Sequence, residues 1–304
     1  MDAVKKNSDF WYHVAAFAMI LVWGISFLNT RVLLDAGLTP TEIFVARFTI
    51  AYLSLLAVSR FRVRYTGWRD ELLFVVCGIA GGSAYFIAEN TALELTLISD
   101  VAVLVCTAPL TTALMGAIFY RDERITLLTC VGMIIAFIGS VMLALKDGFV
   151  WGDSVVGDLL ALLAAFVWAF YSMALKRLNR TYTTLFITRK LFFYGVLSAL
   201  PLLALEQNHV DLATIKQPAV WGNLLYLGLI CSLAAYFIWG ITVKRIGAVR
   251  ASNYFYLSPI ISMIAAAIWF GERTTALAYI GCVLILAGVI MAEKFKRKPD
   301  EANQ

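Results

Sequence analysis

Leu97–Tyr120 reads LISDVAVLVCTAPLTTALMGAIFY, 24 residues with a single charge, Asp100, and a single proline, Pro109. A helix of that length is about 36 Å long, which exceeds the about 30 Å of hydrocarbon in a bilayer. Working outward from it, further apolar runs are read at 11–34, 40–59, 71–94, 127–146, 157–178, 183–205, 219–243, 249–271 and 274–293, ten in all. The runs are continuous and do not alternate in short segments, so a helix bundle is expected and a β-barrel is not. The connections are short, so neighbouring helices run antiparallel. The longest are Arg60–Asp70, Asp147–Val156 and Glu206–Pro218.

Composition agrees. The 304 residues are 61% apolar and 15% charged, against about 45–50% and about 25% in soluble domains. An integral membrane protein follows, with the lipid bilayer as its first partner. The net charge of +5 belongs to loops and not to a nucleic-acid site. Five cysteines, Cys77, Cys106, Cys130, Cys231 and Cys282, all lie inside apolar runs without CxxC spacing and read as small buried residues. The two histidines, His13 and His209, are too few for a His-rich metal enzyme; no metal site or cofactor is expected. No phosphate loop of the G-x-x-x-x-G-K-[ST] type occurs. No cleaved signal peptide is expected, because the first apolar run is too long and no A-x-A-type site follows.

Lys and Arg positions orient the spans. One set of connections carries 18 of them and the opposite set three, Lys146, Lys216 and Arg273. The remaining four, Arg31, Arg47, Arg189 and Lys190, fall within spans. The bias places both termini in the cytoplasm, and the basic tail 295–304 at anionic headgroups.

The halves repeat. Val22-Trp23-Gly24 recurs as Val167-Trp168-Ala169, and Arg31 as Lys176, 145 residues on. Ala84-Tyr85-Phe86-Ile87 recurs as Ala235-Tyr236-Phe237-Ile238 after 151 residues, and Ala108-Pro109-Leu110 as Ser258-Pro259-Ile260 after 150. Glu123-Arg124 recurs as Glu272-Arg273, and Gly132 and Gly139 recur as Gly281 and Gly288, all after 149. A slowly drifting offset over five ordered landmarks is the mark of a duplicated unit. Five spans is an odd number, so the second copy enters from the other side. The expected fold is therefore an all-α membrane protein of ten transmembrane helices, an inverted repeat of units 11–146 and 157–294.

The stretches Thr107-Ala108-Pro109-Leu110, Glu123-Arg124-Ile125-Thr126, Gly132 and Gly139, with Ser258-Pro259-Ile260, Gly271-Glu272-Arg273, Gly281 and Gly288, resemble the two EamA domains of the drug/metabolite transporter superfamily. The resemblance covers about residues 11–293. It implies ten helices, cytoplasmic termini and export or exchange of small metabolites; a bacterial inner-membrane location and a monomer or homodimer are expected. The best-described branch of this type exports aromatic and other amino acids.

Several residues stand out within the spans. Charged groups inside a membrane cost about 2.5–3.5 kcal/mol each on insertion scales and need partners or a wet cavity. Arg47 sits about two turns in from the outer end of the second span, with Glu89 at similar depth, so a Glu89–Arg47 pair is within reach; Arg189 is the repeat counterpart of Arg47. These three either pair structurally or bind substrate or protons. Lys190 reads as interfacial. Trp23, Ser26 and Asn29, at i, i+3, i+6, are read as sharing a face, and Trp168, Tyr171 and Ser172 as sharing the equivalent face in the repeat. With Tyr85, Tyr236, Trp239, Asn253, Tyr254 and Tyr256 they are read as an aromatic lining with polar tips, suited to a neutral or zwitterionic organic solute. Trp23, Tyr85, Trp168, Tyr236 and Trp239 are expected to line a central pocket, with Arg47 and Glu89 toward its outer mouth. Pro109 and Pro259, near the middle of their spans, predict kinks that act as hinges or as static shape. Gly132/Gly139 and Gly281/Gly288, each two turns apart, predict close packing of the fifth span on the tenth.

A secondary transporter is the favoured class. A membrane enzyme would need a metal cluster or a nucleophile–base pair, for which candidates are poor. A sensor would be expected to carry a soluble signalling domain, and none is read.

Overall fold

Helix α2 (Pro40–Val58) begins with a reciprocal cap. The Thr39 hydroxyl accepts from the Glu42 N–H at 3.1 Å and the Glu42 carboxylate accepts from the Thr39 N–H at 2.9 Å. The computed structural model describes residues 2–58, 65–96, 98–120, 126–144, 155–206, 210–270 and 276–294. Outside them lie the tail 295–304, Glu123-Arg124, Glu272-Arg273, His209, Arg60, Arg62, Arg64 and most of Asp147–Val156.

In chain order the elements are α1 (Asp2–Asp35), α2, α3 (Trp68–Leu95), α4 (Ile98–Val105), α5 (Ala108–Phe119), α6 (Leu127–Ala144), α7 (Val155–Leu178), α8 (Thr184–Leu205), α9 (Pro218–Ile246), α10 (Ala248–Ser252), α11 (Ser258–Phe270) and α12 (Ala276–Lys294). A single turn, Leu212–Ile215, precedes α9. No strand occurs among the described residues. Seven spans there are long and apolar enough to cross a membrane: Phe10–Asp35, Pro40–Ala57, Trp68–Leu95, Asp100–Phe119, Val155–Leu178, Thr184–Leu205 and Pro218–Ile246. The protein is a multi-pass helical membrane protein. Leu127–Met142 and Tyr279–Ala292 are shorter apolar helices.

The run 249–271 is not one helix. It comprises α10, a 3-10 stretch Asn253–Leu257, and α11. The run 97–120 also breaks, at Cys106-Thr107. Pro109 and Pro259 therefore do not kink a continuous helix, as the sequence reading expected. Each is the second residue of a new one, α5 and α11. Proline lacks the N–H of an interior turn and clashes with the turn before it, but in a first turn that N–H has no acceptor anyway.

Two π-helical stretches interrupt the longest spans, Ile79–Ser83 in α3 and Tyr226–Ala234 in α9. Each ends one residue before a copy of the repeated Ala-Tyr-Phe-Ile. Gly81 lies in the first, and a Cβ there would stand 2.3 Å from the Tyr171 ring. Gly78 and Gly82 pack on Gly195 of α8, with a Cβ at Gly78 falling 2.8 Å from the Gly195 nitrogen. Across halves, α3 packs on α7 and α8, while α9 packs on α1 and α2.

Helices α6 and α12 pack along their glycines. A Cβ on Gly132 would meet the Gly288 carbonyl at 2.7 Å, and one on Gly139 the Gly281 carbonyl at 2.7 Å. Backbones this close give dispersion contact that lipid chains cannot match, which is how small residues drive helix association in a membrane.

Candidate functional site

Trp23 on α1 is the centre of an aromatic cluster. Its ring lies 5.6 Å from Trp168 of α7, 5.2 Å from Trp239 and 5.9 Å from Tyr236 of α9, and 5.8 Å from Phe255 in the 3-10 stretch. Trp168 in turn stands 5.0 Å from Tyr85 of α3 and 4.8 Å from Tyr171. These separations fall in the range of favourable aromatic pairs.

The two π-helical stretches supply acceptors for this cluster. Trp23 Nε1 donates to the Cys231 carbonyl at 2.9 Å, and the Tyr236 hydroxyl donates to the Gly81 carbonyl at 2.6 Å. An i→i+5 stretch disturbs the regular ladder and leaves carbonyls to be satisfied by side chains, a feature concentrated at functional sites in helices. Tyr85 donates to Glu89, one turn along α3, at 2.6 Å. Ser26 donates to the Trp23 carbonyl at 2.7 Å.

A small cavity opens among these rings. Trp23, Ser26, Tyr85, Glu89 and Trp168 line it, as does Phe255, which the sequence reading did not single out. Its water room is about 20 Å³, space for roughly one water. As they stand, the rings leave too little room for an organic solute.

Other expected residues lie elsewhere. Tyr236, Trp239 and Tyr171 are buried behind the lining rings and form a second layer. Asn29 bonds Asn223 at 2.6 Å, away from the cavity. The reason is geometric: six residues from Trp23 is about 9 Å along the axis and about 240° around it. Asn253 and Tyr256 are buried in the 3-10 stretch on either side of Phe255, and Tyr254 bonds His13. Four buried polar atoms here have no partner among the described residues: Trp168 Nε1, Trp239 Nε1, Asn253 Oδ1 and the Tyr256 hydroxyl. Such orphaned groups are rare in folded proteins and mark places where water or a ligand is accommodated.

Arg47 and Glu89 do not form the direct pair the sequence put within reach. Ion pairs form elsewhere, as at Arg31–Asp35 and Lys190–Glu71. Arg47 Nε donates instead to Ser232 of α9 at 2.9 Å, and its guanidinium lies 4.1 Å from the Phe86 ring centre. The stacked ring and the serine hold the cation, while Tyr85 holds the carboxylate. Arg47 Nη2 has no hydrogen-bond partner among the described residues.

Arg189 lies near the other end of the bundle, 5.7 Å from the Phe186 ring, apart from the cavity. Its neighbour Lys190 is not interfacial as expected. It is buried and ion-paired with Glu71 of α3, which also accepts from Tyr194 at 2.6 Å. Tyr182, in the connection before α8, donates to Asp70, and that contact raises the phenol above its ordinary range.

The profile of the EamA-like transporter family matches residues 10–145 and 155–293. The chain is 29% identical over 292 residues to a "probable terminal-alkyne amino-acid exporter" of Streptantibioticus cattleyicolor, covering 96% of this chain and 95% of that protein. It is 26% identical over 286 residues to a "probable amino-acid metabolite efflux pump" of Escherichia coli, covering 91% and 92%. A crystal structure with 22% identity superposes with a TM-score of 0.72 over 93% of this chain and 98% of that one, a likeness of fold.

Proposed function

We propose, because this chain belongs to the EamA-like transporter family, that it exports amino acids or similar amphipathic metabolites across the inner membrane by alternating access at the Trp23–Tyr85–Trp168 cavity. The observation that carries the reading is the cavity itself. Its lining comes from both halves of the chain and pairs aromatic faces with a carboxylate. Flat rings bury an apolar side chain while a few polar groups fix the charged ends, the usual construction of small-molecule sites. Similarity to proteins named as amino-acid exporters supports the cargo class.

In this reading the ten apolar runs form two five-span units of opposite orientation, 11–146 and 157–294, with both termini cytoplasmic. Parallel features in the two units support it: a π-helical stretch before each Ala-Tyr-Phe-Ile, a helix restart at Pro109 and at Pro259, and threonine caps at Thr39 and Thr183. The swapped packing of α3 on α8 and α9 on α2 supports it too. Two such units trading conformations would expose the cavity to each side in turn.

The test is counterflow into proteoliposomes preloaded with L-leucine, L-phenylalanine or L-tryptophan. At least one is expected to exchange with external label, and Trp168→Ala is expected to lower that exchange more than it lowers thermal stability. If none of these amino acids exchanges or competes, the cargo reading fails.

A further inference from the structure

We propose that Glu89 is the proton-binding group that couples this transporter to a transmembrane pH gradient. It takes a proton when the cavity is empty and releases it when the cationic end of a solute enters. This deepens the transport reading and rests on it.

Glu89 is only 5% exposed and lines a cavity with room for about one water. An ionised carboxylate in such a place is costly unless a cation contacts it or a proton neutralises it. No cation contacts it within 4.0 Å among the described residues. The groups facing it that carry or exchange charge are Tyr85 on its own helix, Arg47 from α2 and Tyr236 from α9. Tyr236 is committed to the Gly81 carbonyl; Arg47 gives its Nε to Ser232 and its face to Phe86 and makes no ion pair with Glu89 within 4.0 Å.

That leaves the Tyr85 hydroxyl, at 2.6 Å. A phenol can donate to a carboxylate or, by turning its O–H, accept from a carboxylic acid. The same contact therefore serves both protonation states without moving a helix. Glu71, a half-buried acid, makes the contrast. Glu71 has Lys190 directly on it and a second donor in Tyr194, which fixes it as a carboxylate in a structural pair. In the second half the position matching Glu89 is Gly240, so a single proton per cycle follows.

Two measurements on the full chain test this. In solute-free proteoliposomes, infrared difference spectra should show a protonated-carboxyl band that is absent in Glu89→Gln, present in Glu89→Asp, and weakened by L-phenylalanine. With the membrane potential clamped at zero, an imposed pH gradient should drive L-phenylalanine to about tenfold accumulation per pH unit. Glu89→Gln should abolish that accumulation and Glu89→Asp should restore part of it, with both variants checked for thermal stability. A wild-type spectrum without the band, or with one that persists in Glu89→Gln, overturns the proposal. So does L-phenylalanine accumulation that ignores the pH gradient. Failure of every amino acid to exchange while the Glu89 band is present would instead overturn the cargo reading and leave the proton site standing.

Discussion

Gly288→Ala puts a methyl group where two helix backbones already touch. On the α12 backbone that Cβ would lie 2.5 Å from the Ala136 nitrogen and 2.5 Å from the Gly132 carbonyl oxygen, both on α6, where ordinary contact begins at 3.4 Å. The shortfall is about 0.9 Å at two atoms of α6, and both are backbone rather than a flexible side-chain tip. Helices α6 and α12 must separate, and Gly132, Gly139 and Gly281 then lose their close approach as well. Overpacking of this kind costs about 1–3 kcal/mol, and the upper end applies because backbone has to move. At roughly 2–4 °C per kcal/mol for large domains, the expected loss is ~6–12 °C in Tm. Thermal unfolding of the detergent-solubilised protein, followed by tryptophan fluorescence or by exposure of the buried cysteines, reads it directly. Gly222→Ala is the control: a Cβ there meets nothing within 4 Å, and a helical Gly→Ala change gains about 0.5–1 kcal/mol. Equal stability of Gly288→Ala and wild type would refute the tight packing of α6 on α12.

Three further outcomes are expected. Lys190→Met leaves the Glu71 carboxylate without its cation and should destabilise by about 3 kcal/mol, with the double variant Lys190→Met/Glu71→Gln recovering part of the loss in chemical denaturation. Pro109→Ala and Pro259→Ala remove a first-turn proline and should keep folding and solute binding; if the breaks are hinges, turnover slows, and wild-type turnover in both would reduce them to fixed shape. Cysteines placed within 60–70 or 295–304 should be labelled only from the cytoplasm and those within 147–156 only from outside, as read with an impermeant maleimide; the reverse pattern would sink the orientation.

Much of this architecture was legible because its devices leave marks in sequence. Runs of apolar residues, the paired prolines and the paired glycines each constrain backbone directly. The prolines announced a disturbance, but only the structure distinguishes a kink from a restart, since that depends on which carbonyls the preceding turn can still reach. The π-helical stretches at Ile79–Ser83 and Tyr226–Ala234 had no comparable signal. In the site, Trp23, Ser26, Tyr85, Trp168 and Glu89 were legible as polar-tipped groups in apolar helices. Phe255 and Phe86 were not, because a phenylalanine that lines a cavity looks like one that fills a core. A signal for Phe255 did exist, its place between the flagged Asn253 and Tyr256. Depth was also hidden: Tyr236 and Trp239 share the cluster but sit a layer back. The Lys190–Glu71 pair joins residues 119 apart in the chain, and no local pattern predicts such a contact.

Accessibility of the cavity from both sides of the membrane is the most direct test of the account. Ser26 lines the cavity, and the five cysteines can be removed to leave Ser26→Cys as the single thiol. In oriented vesicles, a small impermeant thiol reagent should reach this position from the cytoplasmic side and, in a separate experiment, from the opposite side. A transported amino acid should protect it from both. Reaction from one side alone, or from neither while transport continues, would contradict alternating access at this cavity.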